Sequence, residues 1–530
     1  MAQRTGAFDS GATGVRRADV VAALSLATDL AMGQPMAFAL RSCVVAVRLG
    51  EELGFDAAQL GDVYYEALLR YIGCNAETHV FAALFGDELE LRRDFATIDP
   101  GKLPDVLGML ARRIGAAHAG TGTLHLAGAL ARGIAAAPSA THEAFAGHCE
   151  VAQRLAERLG FGPLVIRALG QIYERWDGRG QPNGLKGEAI LPAVRVVSLV
   201  QDAQALHDAH GADAMLAIVR GRRGTAYDPV VVDRFCASAA RSCGVFASEP
   251  TWDEVLALEP GVHATFTDAE LARACVAIAD FTDLKSPYTA GHSRGVAALA
   301  ARAAERCGIG RSDAATVELA GYVHDVGSVA ISSGIWCKAG ALGEAETERV
   351  RMHAYYTERV LARSPGLARL GAIAGHHHER LDGTGYHRAA RGAALTPAAK
   401  ILAAADSYQA MTETRPHRAA LSADAAAATL QREVREGRLD PDAANAVLAS
   451  AGHAPPRAGR ELVAGLTERE LSVLRLLAAG MATKQVAARL QIAPKTADNH
   501  IQSVYSKIGV STRAGATLYA IEHGLTGSFA

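Results

Sequence analysis

The chain has 530 residues, too many for one ordinary core and enough for three or so domains at roughly 100 to 200 residues each. Hydrophobic residues make up 49% and charged residues 21%, a globular balance, and an aromatic content of only 5% in an alanine-rich chain points to helices over sheets. The formal net charge of -2 excludes a polycation, so any contact with nucleic acid has to come from a local patch.

The first strongly apolar stretch, Val20 to Met32, follows Arg16 and Arg17 as a signal peptide would. It is interrupted by Asp29 and lacks a small-residue cleavage site, so it reads as a core helix. No run reaches the 18 or so apolar residues that span a bilayer, and a cytoplasmic protein without membrane contact is expected. The eight cysteines are scattered with no C-x-x-C pair, which reads as reduced, mostly buried thiols.

Comparison of the chain with itself shows a duplication. YERWDGRGQPNGLKGEAILPAVRVVSLVQ, Tyr173 to Gln201, aligns without a gap with HERLDGTGYHRAARGAALTPAAKILAAAD, His378 to Asp406. Upstream, ALLRYIGC (Ala67 to Cys74) matches GYVHDVGS (Gly321 to Ser328), and His148 precedes Ile172 by the same distance as His353 precedes His377. Acidic, proline-bearing SEPTWDEVLALEPG (Ser248 to Gly261) separates the copies, and HAPPRAGRE (His453 to Glu461) is a short stiff linker. These signals divide the chain into a tail 1–17, a first copy 18–250, a second copy 262–450, a linker 451–460 and a C-terminal unit 461–530. An alanine- and glycine-rich stretch, Gly115 to Ala137, has no counterpart in the second copy.

The second copy collects His292, the pair His324 and Asp325, His353, the pair His377 and His378, and Asp406. Five imidazoles and two carboxylates are nearly a full ligand set for two divalent ions, water supplying the rest. Two ions that share a ligand polarise a phosphoryl oxygen and acidify a water, the logic of two-metal phosphoester hydrolysis. PYTAGHSRGVA from Pro287, VHDVGS from Val323, HHERLDGTGY from His377 and AADSYQAMTETRPHR ending at Arg418 resemble the HD-GYP family, metal-dependent phosphohydrolases of the HD superfamily. The resemblance covers about Val262 to Ser450. It implies two iron or manganese ions, cyclic di-GMP as substrate, and Asp325 as the catalytic bridging ligand. His292, His324, His353, His377, His378 and Asp406 would complete the shell, with Arg415 and Arg418 toward phosphate. Members with a third ion have an acid where this chain has Tyr288. The lysine ending the family's HDIGK motif is Ser328 here, the proline of GYP is His387, and RPY reads Arg415, Pro416, His417. Losing a phosphate-facing lysine would slow turnover even with metals in place.

At the ligand positions the first copy has Arg70 and Tyr71, Ile172 and Tyr173, and Gln201, with Leu40 and Arg41 near the first position; only His148 remains. This copy is expected to keep the fold and hold no metal, serving as a packing partner or a regulatory pseudo-domain.

From Leu466 the text reads LTERELSVLRLLAAGMATKQVAARLQIAPKTADNHIQSVYSKIGVSTRAGATLYA. Leu466, Leu471, Leu474 and Leu477 share a helix face that Thr467 and Glu470 cap. A second helix spans about Thr483 to Leu490, and Pro494 opens a third. This is helix-turn-helix spacing, and the segment resembles the LuxR-type DNA-binding domain from Leu466 to about Leu525. By family position Lys495, Thr496, Asn499, His500 and Ser503 face DNA, with Lys484, Lys507 and Arg513 near phosphates, and Asp498 stands where the family often has a basic residue. From Glu461 onward positive charges exceed negative ones by only two, so binding as a homodimer is expected.

The sequence therefore implies an all-α protein, two HD-type helical domains followed by a four-helix LuxR-type domain. It would act as a regulator that binds double-stranded promoter DNA and hydrolyses or senses a cyclic dinucleotide. A catalytically silent nucleotide receptor, and a phosphodiesterase for another phosphoester with DNA binding secondary, stay open as alternatives.

Overall fold

The computed structural model describes residues 14–76, 78–117, 142–248, 250–452 and 463–526. The first 13 residues, most of the Gly115 to Ala137 stretch and the His453 to Glu461 linker lie outside them. The protein is all-α. Among the described residues the only strands are Val15–Arg16 and Thr265–Phe266, which pair antiparallel with Val15 opposite Phe266. The expected N-terminal tail thus ends in a strand that ties the start of the first copy to the second.

The helix Arg17–Ala31 explains its own sequence. Every residue but Arg17 and Leu30 is buried, because it packs both on its own copy and on the second. A helix enclosed on all sides needs no polar face, which is why VVAALSLATDLA lacks amphipathic spacing. Asp29, which interrupts the run, accepts the Ala39 N–H with both carboxylate oxygens at the start of the Phe38–Glu52 helix. No helix among the described residues is long and apolar enough to cross a membrane.

The two copies share one continuous hydrophobic core, running from Val20 and Leu40 through Phe281 and Val296 to Leu402 and Val447. Polar links cross the same boundary: Asn75 Nδ2 donates to Phe281 O at 2.7 Å, and Lys285 Nζ meets Glu88 Oε1 at 2.8 Å with both side chains buried. Internal repetition is also visible in loop architecture. Glu174 takes the N–H groups of Asn183 and Leu185, and its counterpart Glu379 takes those of Arg388 and Ala390, so the ERWDG and ERLDG texts fold into the same turn. The following helices, Pro192–His210 and Pro397–Met411, both begin with proline at a position where its missing N–H costs nothing.

The C-terminal unit has its own core of Leu466, Leu474, Leu477, Val486, Ile501 and Val504. Its last helix, Arg513–Glu522, turns Ala514, Leu518 and Ile521 into the core of the two copies. One ionic cluster holds all three units. Asp280, fully buried in the second copy, receives Arg158 of the first and Arg294 of the second. Arg158 also meets Glu522 Oε1 at 2.9 Å, and Arg294 donates to Glu522 O at 3.3 Å.

Gly73 and Gly327 are equivalent close approaches, since a Cβ would meet His148 O at 1.9 Å in one copy and His353 O at 2.2 Å in the other. Substitution Gly73→Ala therefore has to push the turn after Leu69 away from the helix carrying His148, a cost of about 1–3 kcal/mol. A thermal melt of the full chain is expected to shift down by several degrees, and an unchanged melting temperature would contradict the packing described.

Candidate metal centre and DNA-reading helix

Seven side chains that are far apart in sequence converge in the second copy. His292 begins the helix His292–Arg306, His324 and Asp325 follow the helix Arg311–Val323, and His353 lies in Glu344–Ala362. His377 and His378 follow Ala368–Ala374, and Asp406 sits in Pro397–Met411. Their donor atoms form overlapping groups: His353 with His377 and His378, His292 with His324 and Asp406, and His324 with Asp325 and His377. Asp325 stands between them. Its Oδ1 lies 3.3 Å from both His353 Nε2 and His377 Nε2, and its Oδ2 lies 3.6 Å from His324 Nε2 and 3.9 Å from His292 Nε2. Asp406 also reaches both sides, Oδ1 toward His292 at 3.3 Å and Oδ2 toward His378 at 3.7 Å.

The hydrogen bonds behind the ring fix which nitrogen faces inward. Nδ1 of His324, His353 and His377 points at the carbonyl oxygens of Gly321, Val350 and Ala374, and a carbonyl only accepts, so Nδ1 carries the proton. The inward Nε2 of a neutral ring is then a lone pair. Nε2 of His353 and His377 are 3.1 Å apart, with Asp325 Oδ1 close to both, and neither His324 Nε2 nor Asp325 Oδ1 has a hydrogen-bond partner. Buried lone pairs facing each other at this distance repel unless a cation lies among them. The donor set therefore fits divalent ions held by His292, His324, Asp325, His353, His377, His378 and Asp406.

Burial lowers the His324 pKa to about 4, which keeps its ring neutral as ligation requires. Burial alone would raise Asp325, but His324, His377 and His353 hold it well below the usual carboxylate range. His292 feels the same burial, and Glu413, 2.9 Å from its Nδ1, followed by Asp406, lifts its pKa well above the ordinary value.

The cluster opens into a cavity of about 730 Å³. Arg415 and Arg418, expected at phosphate, both line it but differ in commitment. Arg415 is held by Glu413 Oε2 at 2.9 Å and Tyr288 O at 3.3 Å. Arg418 is wrapped by the main-chain carbonyls of Ala410, Met411, Glu413 and Ala419, so it shapes the loop. Ser328 is in the wall as expected. Sequence reasoning missed Lys338, an ammonium in the same wall paired with Glu346 at 2.6 Å, and Trp336, whose ring stands edge-on to His353. No motif marked them, since they reach the site only through the fold of the short helix Ser333–Trp336 and the loop after it.

In the C-terminal unit Thr467 and Glu470 form the expected capping box, and helices Thr483–Arg489 and Pro494–Ile508 make the helix-turn-helix. Lys484, Lys495, Thr496 and Asn499 are exposed and His500 is half-buried, while Ala497, Ile501 and Val504 face the core. Lys495 Nζ lies 3.5 Å from Asp498. Ser503, expected to face DNA, and Lys507, expected near phosphate, both bond Glu470, each at 2.7 Å. Arg513 donates to Met481 O.

Comparison with known proteins agrees with this architecture. Residues 89–231 and 277–443 match the family described as HD domain. The chain belongs to the HD domain family. Residues 464–520 match the bacterial regulatory proteins of the luxR family, so this HD protein carries a LuxR-type DNA-binding domain. It is 30% identical over 430 residues to the 3'3'-cGAMP-specific phosphodiesterase 3 of Vibrio cholerae serotype O1, covering 80% of this chain and 92% of that protein. It is 31% identical over 210 residues to the cyclic di-GMP phosphodiesterase response regulator RpfG of Xanthomonas campestris, 38% of this chain and 54% of that protein. A crystal structure of a cyclic GMP-AMP specific phosphodiesterase of V. cholerae shares the fold, with a TM-score of 0.58 and 24% identity over 83% of this chain and 99% of that one.

HD-domain phosphohydrolases are metal-dependent, and among the described residues the grouped donors lie in the second copy. Arg70 lies where His324 stands in the second copy, its guanidinium donating to Gln201 Oε1 and to Ile172 O at 3.3 Å each. The surviving His148 uses Nδ1 on Tyr173 Oη at 3.0 Å. A fixed cation on the chain thus fills part of the place where the other copy gathers lone pairs. Elemental analysis of the full chain is expected to give close to two transition-metal ions per molecule, almost none in Asp325→Ala and an unchanged content in His148→Ala. Loss of metal in the His148 variant would overturn the assignment of the site to the second copy.

Proposed function

We propose that the second copy is a phosphodiesterase for a cyclic dinucleotide, using two divalent ions, iron or manganese, and that the LuxR-type domain couples its state to promoter DNA. The observation that carries the reading is the pair of imidazole groups sharing Asp325 beneath a cavity of about 730 Å³ with Arg415 and Lys338 in its wall. When bound, the ions would polarise a phosphoryl oxygen and activate the attacking water. The chain's own residues do the rest. Asp325 fixes the spacing of the two groups, Arg415 is oriented by Glu413 to meet a phosphate oxygen, and Lys338 supplies a second positive charge where Ser328 cannot. Trp336 and Tyr386, both in the wall, offer flat apolar surface to a base.

Cyclic di-GMP follows from the sequence motifs, and 3'3'-cGAMP is the second substrate to test because a relative named for it aligns with 80% of this chain. The DNA-facing groups supported by the fold are Lys484, Lys495, Thr496, Asn499 and His500, and a homodimer would supply a second half-site.

Metal-loaded full chain is expected to open a cyclic dinucleotide to its linear product, read by chromatography, with no turnover in Asp325→Ala. Arg415→Ala and Lys338→Ala should each lower kcat/KM by roughly 10- to 100-fold at unchanged metal content, the cost of one charge-assisted contact. Ser328→Lys adds a cation to the same wall and should raise kcat. Full metal occupancy with no turnover of either dinucleotide would point to a receptor that binds without hydrolysis.

A further inference from the structure

The first copy encloses a cavity of about 280 Å³ where the second has its metal centre. Arg70, Tyr71, His148, Ile172 and Tyr173, which replace or retain the ligand positions, all line it. The loss of the metals has thus left a chamber with a different chemistry. Its body is aromatic, with Phe81, Phe95 and Phe145 in the wall and Phe145 stacked on Tyr173 at 4.1 Å between centroids. Its polar lining is rich in arginine. Beside Arg70, the guanidiniums of Arg92, Arg175 and Arg222 line it, and Arg179 is exposed at its edge.

Asp202 lies 3.8 Å from Arg70, and Arg175 is held by Asp99 and Asp177, which leaves Arg92 and Arg179 with no ion pair among the described residues. Of the carboxylates in the wall, Glu88 is neutralised by Lys285, while Glu174 holds the Asn183 and Leu185 N–H groups and Asp202 accepts the Tyr227 hydroxyl at 2.9 Å, both keeping their charge. Several buried polar atoms of the wall, Arg70 Nε, Gln181 Oε1, Ser198 Oγ and Nε2 of the 4% exposed His148, have no hydrogen-bond partner, and buried polar atoms are normally satisfied. Burial, reinforced by Arg92, lowers the His148 pKa to about 3, so it stays a neutral imidazole able to bond a ligand.

We infer that this cavity is a binding site for a small organic anion with a planar aromatic body, a nucleoside monophosphate or a smaller aromatic acid. The volume lies near the lower end of the ~300–1,000 Å³ typical of small-molecule sites. It is well under half the 730 Å³ of the neighbouring cavity, which favours a ligand smaller than the dinucleotide proposed there. The two cavities share a partition, because Glu88 lines the first and its salt-bridge partner Lys285 lines the second. Glu88 also accepts from Ser332 Oγ and Ser333 N, at the start of the segment that carries Trp336. Occupancy of the first cavity is therefore transmitted to the wall of the second; this link alone rests on the phosphodiesterase reading.

The test uses the full chain carrying Asp325→Ala, so that the metal site takes no ligand, and titrates GMP, AMP and anilinonaphthalene sulfonate by calorimetry, with guanosine as the uncharged control. The expected result is binding of at least one anion at one per chain, guanosine at least tenfold weaker. Adding Ala96→Trp, which fills the cavity, should abolish it, and adding Arg179→Glu, an exposed position that leaves the fold intact, should weaken it at least tenfold. No binding of any of the three anions, or binding unaffected by both added substitutions, overturns the site. In metal-loaded wild type the bound anion is expected to change dinucleotide turnover at least twofold, and to leave it unchanged in the Ala96→Trp chain. Equal effects in both chains would place the anion in the active cavity and overturn the link.

Discussion

The Asp280 carboxylate is the point on which the three units depend. It is fully buried, and both of its oxygens are taken by Arg294 at 2.6 Å while Arg158 shares Oδ2. Each arginine then reaches Glu522 at the end of the Arg513–Glu522 helix. Removing one member of such a cluster leaves the others desolvated and unpaired, typically at about 3–5 kcal/mol, so its geometry is held firmly. Arg294 lies two residues after His292 on the same helix, and Thr526 sits against Gly291, where a Cβ would meet its hydroxyl at 2.6 Å. The helix that begins with a metal ligand thus touches the DNA-binding unit through Arg294, while that unit also packs on Asp268–Asp283 and is held by Glu150 and Arg154 of the first copy.

The duplication has a physical logic. Neither copy can close its core alone, since the Arg17–Ala31 helix is buried against both and the strand Val15–Arg16 pairs across them. The second copy gathers lone pairs that only cations can reconcile, while the first has built the cation into the chain as Arg70 and kept the surrounding turns. Glu174 and Glu379 clamp the same loop in both, so ligands were lost without loss of the scaffold that held them.

Much of this was legible in the sequence. The seven donors were readable because they stand in the order and spacing of the family's motifs, and His292, His324, Asp325, His353, His377, His378 and Asp406 do converge. The capping box at Thr467 and the proline starting the recognition helix were local signals and appear where expected. What stayed hidden depends on long-range packing. Glu470 caps its own helix and also takes Ser503 and Lys507, which family position alone sends toward DNA. Arg418 is spent on four carbonyls of its own loop, and Lys338 enters the active cavity without a motif to announce it. Periodicity likewise gives no hint that two copies share one core, because a helix apolar on all sides reads the same whatever surrounds it.

The proposed coupling of the metal site to the DNA-reading helix would run through the Asp280 cluster, which ties the His292–Arg306 helix to Glu522. The most direct measurement is the affinity for a bound promoter fragment, by fluorescence anisotropy at fixed salt, of metal-loaded and metal-stripped full chain, each with and without Asp280→Asn. Salt is held constant because counterion release alone changes affinity strongly. The account predicts that loading the metal shifts the dissociation constant by roughly 5- to 150-fold in wild type, a coupling of about 1–3 kcal/mol, and that Asp280→Asn removes most of the shift. Superimposable curves for loaded and stripped wild type would contradict it.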